Sequence, residues 1–358
     1  MQVMRVHSAV RDYEVNFCDS FDFLAAIETI PNRFYVIDSN VWDLYREQLF
    51  SRIDPAMVMV LPIDEDRKNL YTVMEVYDAL MSRAAKRNMT LISIGGGIIQ
   101  DITGFAASTL YRGINWIFVP TTLLAQADSC IGSKTSLNYK NYKNLVGTFF
   151  PPNRIYLSPG FTPTLKEEDY FSGLGEVVKL HLMGGEASAH QLMHDLDLLA
   201  RRDNETLLRA TKKSLEVKLS YMQDDEFDTG KRNLLNFGHC YGHAVESVSG
   251  FAVPHGQAVV VGMMFANLVA RNRGLIGEPL FSTVHKQALL PALVSPLKTE
   301  YLDTAPIVAA MKMDKKRVGE GLVLVMLVDG YQMIKVEDLT ANELSNATQQ
   351  LKELLQVA

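Results

Sequence analysis

The sequence predicts an α/β protein, with a parallel sheet and crossover helices first and a mainly α-helical part after them. Three observations carry this. Through about the first 160 residues, short apolar runs rich in β-formers alternate with longer amphipathic stretches, the pattern of strands joined by crossover helices. From about Leu165 onward such runs nearly vanish, and stretches rich in Leu, Ala, Met and Lys dominate. A glycine triplet, Gly95-Gly96-Gly97, stands between an apolar run and a helical pattern, as at the nucleotide turn of a Rossmann-like domain. The chain is therefore read as a Rossmann-like parallel-sheet domain over residues 1–164, followed by a mainly α-helical domain over residues 165–358.

In chain order, the expected strands are the runs at 34–38, 57–63, 91–94, 116–120 and 155–157, each ended by Asp, Gly, Pro or Ser. Between the second and third, Val73, Val76, Tyr77, Leu80, Met81 and Ala84 recur at helical spacing and form one apolar face. A helix is expected to begin near Gln100-Asp101. In the second domain the stretches 205–222 and 258–272 read as helices, and the run 322–328 as a late strand.

Composition narrows the function. Of 358 residues, 47% are hydrophobic and 21% charged, which excludes a disordered or solvating chain. With 35 Lys and Arg against 41 Asp and Glu the net charge is −6, so there is no basic field to hold nucleic acid or an anionic membrane. An anionic substrate must be met by a local cluster of cations. Three scattered cysteines, Cys18, Cys130 and Cys240, exclude a disulfide framework, and the most apolar stretch, 258–270, is shorter than the ~20 residues of a membrane span. A cytoplasmic protein with no signal peptide and no transmembrane helix is expected.

The chemistry-bearing residues fall into groups. Gly95-Gly96-Gly97, Asp38-Ser39-Asn40 and Thr121-Thr122 all close expected strands, where a parallel sheet presents a dinucleotide site. The segment 128–144 holds Asp128, Lys134, Asn138, Lys140, Lys143 and Asn144. It reads either as a solvated loop or as cations placed beside a carboxylate to hold a phosphorylated or carboxylated substrate. Glu176 and Lys179, three apart, share a helix face and by themselves read as an exposed ion pair. His239 and His243, four apart, with His255 beyond them and Glu176 upstream, point to a divalent metal, zinc by the usual chemistry of such sets. Spacing alone selects His239 and His243 as the ligand pair.

The motifs also carry a resemblance. Gly95-Gly96-Gly97-Ile98-Ile99-Gln100-Asp101, residues 120–129, Lys143-Asn144-Leu145-Val146-Gly147, Gly175-Glu176-Val177-Val178-Lys179, Leu235-Asn236-Phe237-Gly238-His239, Gly242-His243-Ala244-Val245-Glu246 and Asp314-Lys315-Lys316 stand in the order and spacing of the 3-dehydroquinate synthase family. The chain resembles that family of the sugar phosphate cyclase superfamily from about Asp38 to Lys316. The resemblance implies Glu176, His239 and His255 as ligands of zinc or cobalt, with His243 beside the metal or facing phosphate. It further implies Asp128, Lys134, Lys143 and Asn144 beside nicotinamide and substrate, and Lys179, Lys218, Arg232 and Asn236 on the substrate. Asp38, Asn40, Glu65, Lys68, Gly96, Gly97, Asp101, Thr121, Thr122, Thr164 and Leu165 fall on NAD-binding positions. Arg112 matches an arginine that completes the neighbouring subunit's site, which implies a homodimer, and Lys315 or Lys316 matches a late lysine.

What the resemblance implies for activity is a lyase of the shikimate pathway, in aromatic amino acid biosynthesis. NAD+ oxidises a secondary alcohol of 3-deoxy-arabino-heptulosonate 7-phosphate, phosphate leaves, the hydride returns, and an aldol step closes the ring of 3-dehydroquinate. Departures from the family pattern stand at Gln100, Ser133 and Gln257, where Gln257 replaces a glutamate, and none removes a ligand or a substrate cation. The competing readings are a sibling cyclase acting on another sugar phosphate, a net metal-dependent alcohol dehydrogenase, and a non-catalytic homologue. The cation set argues against the dehydrogenase, and the intact ligand set against the non-catalytic homologue.

Overall fold

The computed structural model describes residues 2–140, 142–312 and 321–356. The chain divides into two units, Met1–Leu165 and Lys166–Ala358. Lys315 and Lys316 lie outside the described residues.

In the first unit the strands are β1 (Gln2–Val6), β2 (Tyr13–Phe17), β3 (Arg33–Asp38), β4 (Val58–Leu61), β5 (Thr90–Gly95), β6 (Asn115–Pro120), β7 (Lys134–Tyr139), β8 (Tyr142–Phe149) and β9 (Arg154–Leu157). Among the described residues the main sheet runs β1-β2-β9-β6-β5-β3-β4. Only β1 and β2 pair antiparallel; β2-β9, β9-β6, β6-β5, β5-β3 and β3-β4 are parallel. Every residue of β5 is buried, as a parallel strand covered on both faces requires. The helices are α1 (Phe23–Glu28), α2 (Ser39–Tyr45), α3 (Leu70–Met81) and α4 (Gly97–Thr109). From β3 the chain goes outward to β4, whereas from β5 it goes to β6 on the other side, so the topological switch point lies between β3 and β5.

Three expectations are corrected here. The face of α3 is shorter than its periodicity suggested: Val73, Val76 and Leu80 are buried, but Met81 is exposed and Ala84 lies past the helix end. There Ala85 N donates to Leu80 O, Ala84 N donates to Met81 O, and Ala84 takes φ 50°, a left-handed helix stop. Helix α4 begins at Gly97, three residues before Gln100, because the extended backbone of Gly96 caps it directly. The segment 128–144 is not a loop. A π-helical turn at Ala125–Ser129 leads into an antiparallel hairpin of β7 and β8, in which Thr135 and Leu137 turn inward while Lys134 stays exposed. Polarity concealed a period-two pattern.

The second unit comprises α5 (Glu167–Met183), α6 (Glu186–Ala200), α7 (Asn204–Met222), α8 (His239–Val248), α9 (His255–Asn272), α10 (Glu278–Val284), α11 (Leu290–Ala292), α12 (Thr304–Lys312), β10 (Leu322–Val328), β11 (Gln332–Leu339) and α13 (Ala341–Leu355). Helix α9 is its centre, buried on all sides from Gly256 to Ala270. That pattern is apolar all round rather than striped, as befits a helix enclosed by others. The late strand β10 pairs with β11, whose Lys, Glu and Gln content masked it in the sequence. No helix among the described residues is long and apolar enough to cross a membrane.

Candidate active site

Both ends of the switch point carry residues singled out from the sequence. Asp38, the last residue of β3, accepts from Asn40 N at 2.8 Å and so caps α2. Burial pushes its carboxyl above the usual range, against the hydrogen bonds from Asn40. Across the switch point, a Cβ on Gly95 would stand 3.0 Å from the Cβ of Asp38, and one on Gly96 would stand 3.0 Å from Thr122 Cγ2. No side chain caps the N-terminus of α4. A glycine cradle and an uncapped helix N-terminus at the switch point fit a pyrophosphate. Thr121 is buried and hydrogen-bonds through its backbone to Gly95 O, while the Thr122 hydroxyl accepts from Ala125 N at 3.2 Å. Thr164 Oγ1 lies 2.8 Å from the Tyr45 hydroxyl, and half-buried Leu165 follows it at the end of the unit.

Six of the candidates join in one polar network. Lys68 Nζ stands 2.6 Å from both Asp101 Oδ2 and Asn144 Oδ1. Asp101 also accepts from Ser136 N at 2.9 Å and Ser136 Oγ at 3.0 Å. Asn138 Nδ2 donates to Glu65 Oε1 at 2.8 Å, and Asn138 Oδ1 accepts from Asn144 N at 2.9 Å. Lys143 Nζ lies 3.9 Å from Glu65. Thus the β7–β8 hairpin is tied to α4 and to the turn before α3 by Ser136 and Asn138, and Ser136 was not among the residues picked from the sequence. Asp128 sits half-buried in the π-helical turn, Lys134 is exposed at the start of β7, and Arg112 is exposed with φ 63° at the end of the short turn that follows α4.

In the second unit the carboxylate of Glu176, fully buried in α5, faces two imidazoles. Its Oε1 is 3.1 Å from His255 Nε2 and 3.5 Å from His239 Nε2. Each histidine has its other nitrogen engaged: His239 Nδ1 lies 3.2 Å from Phe237 O, and His255 Nδ1 lies 3.1 Å from Glu246 Oε2. Nε2 of both is therefore the nitrogen directed at Glu176. Four-coordinate zinc with ligands at 2.0–2.1 Å separates its ligand atoms by about 3.3 Å, close to these spacings. His243 is exposed; ring nitrogens of His239, His243 and His255 all lie within 4.8 Å of one another. His239, His243 and His255 thus stand together, with Glu176 against the first and the third.

Backbone contact makes this possible. A Cβ on Gly256 would fall onto the carbonyl of Ser172, and one on Gly175 onto the carbonyl of Gly256, so α5 and the start of α9 approach as only glycines allow. Gly256 N donates to Ser172 Oγ at 2.9 Å. Beside it Gln257, wholly buried, donates to Phe171 O and Ala292 O at 2.9 Å each and accepts from Val294 N and Ser295 N at 2.8 and 3.0 Å.

The pair Glu176–Lys179 is buried, with Nζ 2.5 Å from Oε2, and is not the exposed pair its spacing suggested. Burial opposes the Glu176 charge, but the Lys179 ammonium and the two histidines hold its carboxyl well below the usual range. Burial and then the Lys179 charge push His239 well down, whereas for His255 burial is outweighed by Glu176 and Glu246, which raise it to about 10. Lys218 is buried in α7. Arg232 is buried too; its guanidinium donates to Glu226 O, and its backbone N donates to Asp225 Oδ2 at 2.9 Å. Asp225 accepts as well from Thr229 N, Thr229 Oγ1 and Gly230 N, which fold the turn before Arg232 and pull its carboxyl down to about 2 despite burial. Asn236 Nδ2 donates to Asn233 O. Glu246 and Asp225 were missed. For Glu246 a signal existed, since it falls seven residues after His239 and three after His243, on their helix face.

Comparison with known proteins agrees in the order of the chain. The profile described as 3-dehydroquinate synthase N-terminal matches residues 58–172, and that described as 3-dehydroquinate synthase C-terminal matches residues 173–317. A 3-dehydroquinate synthase of Nitrosospira multiformis is 36% identical over 297 residues, covering 82% of this chain and 81% of the relative. One of Synechocystis sp. is 34% identical over 334 residues, covering 91% and 92%. A solved 2-epi-5-epi-valiolone synthase of Streptomyces hygroscopicus subsp. jinggangensis 5008, with NAD+ and Zn2+ bound, is 26% identical, with a TM-score of 0.84 over 98% of this chain and 99% of that one. With both profiles matched end to end and relatives above 30% identity over most of its length, the chain belongs to the 3-dehydroquinate synthase family.

Proposed function

We propose that the protein is a 3-dehydroquinate synthase that uses NAD and a divalent metal, zinc or in its place cobalt, to convert 3-deoxy-arabino-heptulosonate 7-phosphate to 3-dehydroquinate and phosphate. It works in the cytoplasm as a homodimer to which Arg112 contributes across subunits. One observation carries the metal reading: a buried carboxylate, Glu176, faces Nε2 of both His239 and His255, and the other nitrogen of each ring is already engaged. Glu176, His239 and His255 hold the ion and His243 stands beside it. When bound, the metal would supply Lewis acidity to the substrate alcohol, and NAD+ would accept a hydride from the substrate and return it.

The chain's own residues bind and orient. Asp38, Asn40, Gly96, Gly97, Thr121, Thr122, Thr164 and Leu165 line the nucleotide, with the cradle at α4 taking the pyrophosphate. Glu65, Lys68, Asp101, Lys143 and Asn144 fix the hairpin that carries Lys134, and Asp128 lies just before it. Lys179, Lys218, Arg232 and Asn236 meet the carboxylate and phosphate. A guanidinium suits either anion in bidentate fashion. The acid substrate favours this reading over sibling cyclases of neutral sugars, because it gives these cations a carboxylate to bind.

The test is to supply NAD+, zinc and each candidate sugar phosphate, and to follow phosphate and NADH together. Phosphate released from the keto acid phosphate, with no stoichiometric NADH, is the expected result. Arg232→Ala should keep metal and NAD+ binding while kcat/KM falls roughly 10- to 150-fold, the equivalent of one charge-assisted contact of ~1.5–3 kcal/mol. NADH appearing one for one with product would mean a dehydrogenase, and phosphate released only from sedoheptulose 7-phosphate or glucose 6-phosphate would mean a sibling cyclase.

A further inference from the structure

The two imidazoles that face Glu176 are anchored in different ways. His239 Nδ1 meets a neutral backbone acceptor, Phe237 O, two residues before it. His255, which like His239 opens its helix, takes a side-chain partner. Its Nδ1 instead meets Glu246 Oε2 on α8, at 3.1 Å, with the Glu246 side chain only 15% exposed. Helices α8 and α9 do not need this contact to stay together, because Cβ atoms on Gly238 and Gly262 would already collide with the opposing backbone. A mostly buried carboxylate placed on the far side of a candidate ligand histidine has a different use: it fixes the tautomer and the ring plane and makes the imidazole a stronger donor.

We propose that Glu246 is a positioning residue for the metal centre, holding His255 with Nε2 toward Glu176 and strengthening it as a ligand. One helix, α8, then supplies a ligand of its own in His239 and the support for a ligand on α9. The proposal rests on Glu176, His239 and His255 being the ligands, as argued above.

The test uses the full-length protein and reads the metal directly, by chelator competition for Zn2+ and by the visible absorption of the Co2+ form. Glu246→Gln keeps the size and can still accept a hydrogen bond but removes the charge, and should weaken zinc roughly tenfold and shift the cobalt spectrum. Glu246→Ala removes both and should weaken zinc by up to about 100-fold, while Glu246→Asp restores part of the loss. Wild-type affinity and spectrum in both Glu246→Gln and Glu246→Ala would overturn the proposal. Should Glu246→Ala fail to fold, Glu246→Gln decides alone. His239→Ala is the reference: if it abolishes zinc binding while the Glu246 variants bind normally, only the role of Glu246 falls. If His239→Ala itself binds zinc as the wild type does, the ligand assignment falls, and the role of Glu246 with it.

Discussion

Asp225 shows how much of the placement of Arg232, a proposed binding residue, is done by a neighbouring carboxylate. Its carboxylate accepts from the backbone of Thr229, Gly230 and Arg232, and so fixes the turn from which Arg232 departs. Because its folded pKa, about 2, lies below the ordinary 3.8, its charge contributes stability that is complete above about pH 4 and is lost as pH falls through about 2. Asp225→Asn should therefore destabilise the protein by about 1.5–3 kcal/mol at pH 7, with a visibly smaller difference at pH 3, measured by urea unfolding at both values. An equal difference at the two pH values would show that the charge is not what counts. At this scale the sequence was legible wherever a residue type is costly to place without use: His239, His255, Glu176 and the glycine triplet. Asp225 and Ser136 escaped because an acid or a serine in a polar stretch is ordinary, and only the fold reveals what each one touches; Glu246 lay on the helix face of His239 and His243, where its spacing could have marked it.

Elements were legible where their periodicity was clean. The strands β3, β5, β6 and β9 and the helix α9 follow from burial on both faces or all round, which leaves long apolar runs, and α7 from one buried face that recurs at helical spacing. The hairpin β7–β8 and strand β11 were hidden because their partly wet faces carry Lys, Asn, Glu and Gln. Helix packing at the metal residues was not legible either, since a glycine does not announce whether it serves a turn or a close approach. The contact of α5 with α9 supplies a prediction. Gly256→Ala must push the start of α9 off the Ser172 carbonyl, carrying His255 away from Glu176. Zinc affinity measured by equilibrium dialysis should fall at least tenfold, and overpacking should cost about 1–3 kcal/mol in urea unfolding. Unchanged zinc affinity would mean that the helices can separate without moving the ligands.

For the molecule as a whole, the two kinds of chemistry proposed above fall on different units: the proposed nucleotide residues on Met1–Leu165, the proposed metal residues on Lys166–Ala358. Ligands that bind only the folded state protect the backbone they hold. Hydrogen exchange should accordingly show NAD+ alone slowing the amides of residues 95–101 and 121–128, and Zn2+ alone slowing those of residues 172–179, 238–246 and 255–259. Protection by zinc confined to the first unit would contradict the division. Gln257 has a consequence of another kind. Its amide gives two hydrogens to carbonyls and receives two from peptide nitrogens, so every atom of the junction is matched. Glutamate has the same outline but no hydrogens to give unless it carries a proton, and would set oxygen against the oxygens of Phe171 and Ala292. The position distinguishes the two residues by hydrogen count rather than by shape. A lineage cannot drift from one to the other here in a single step at no cost; the peptide groups facing the side chain have to turn with it, which makes this substitution an epistatic one.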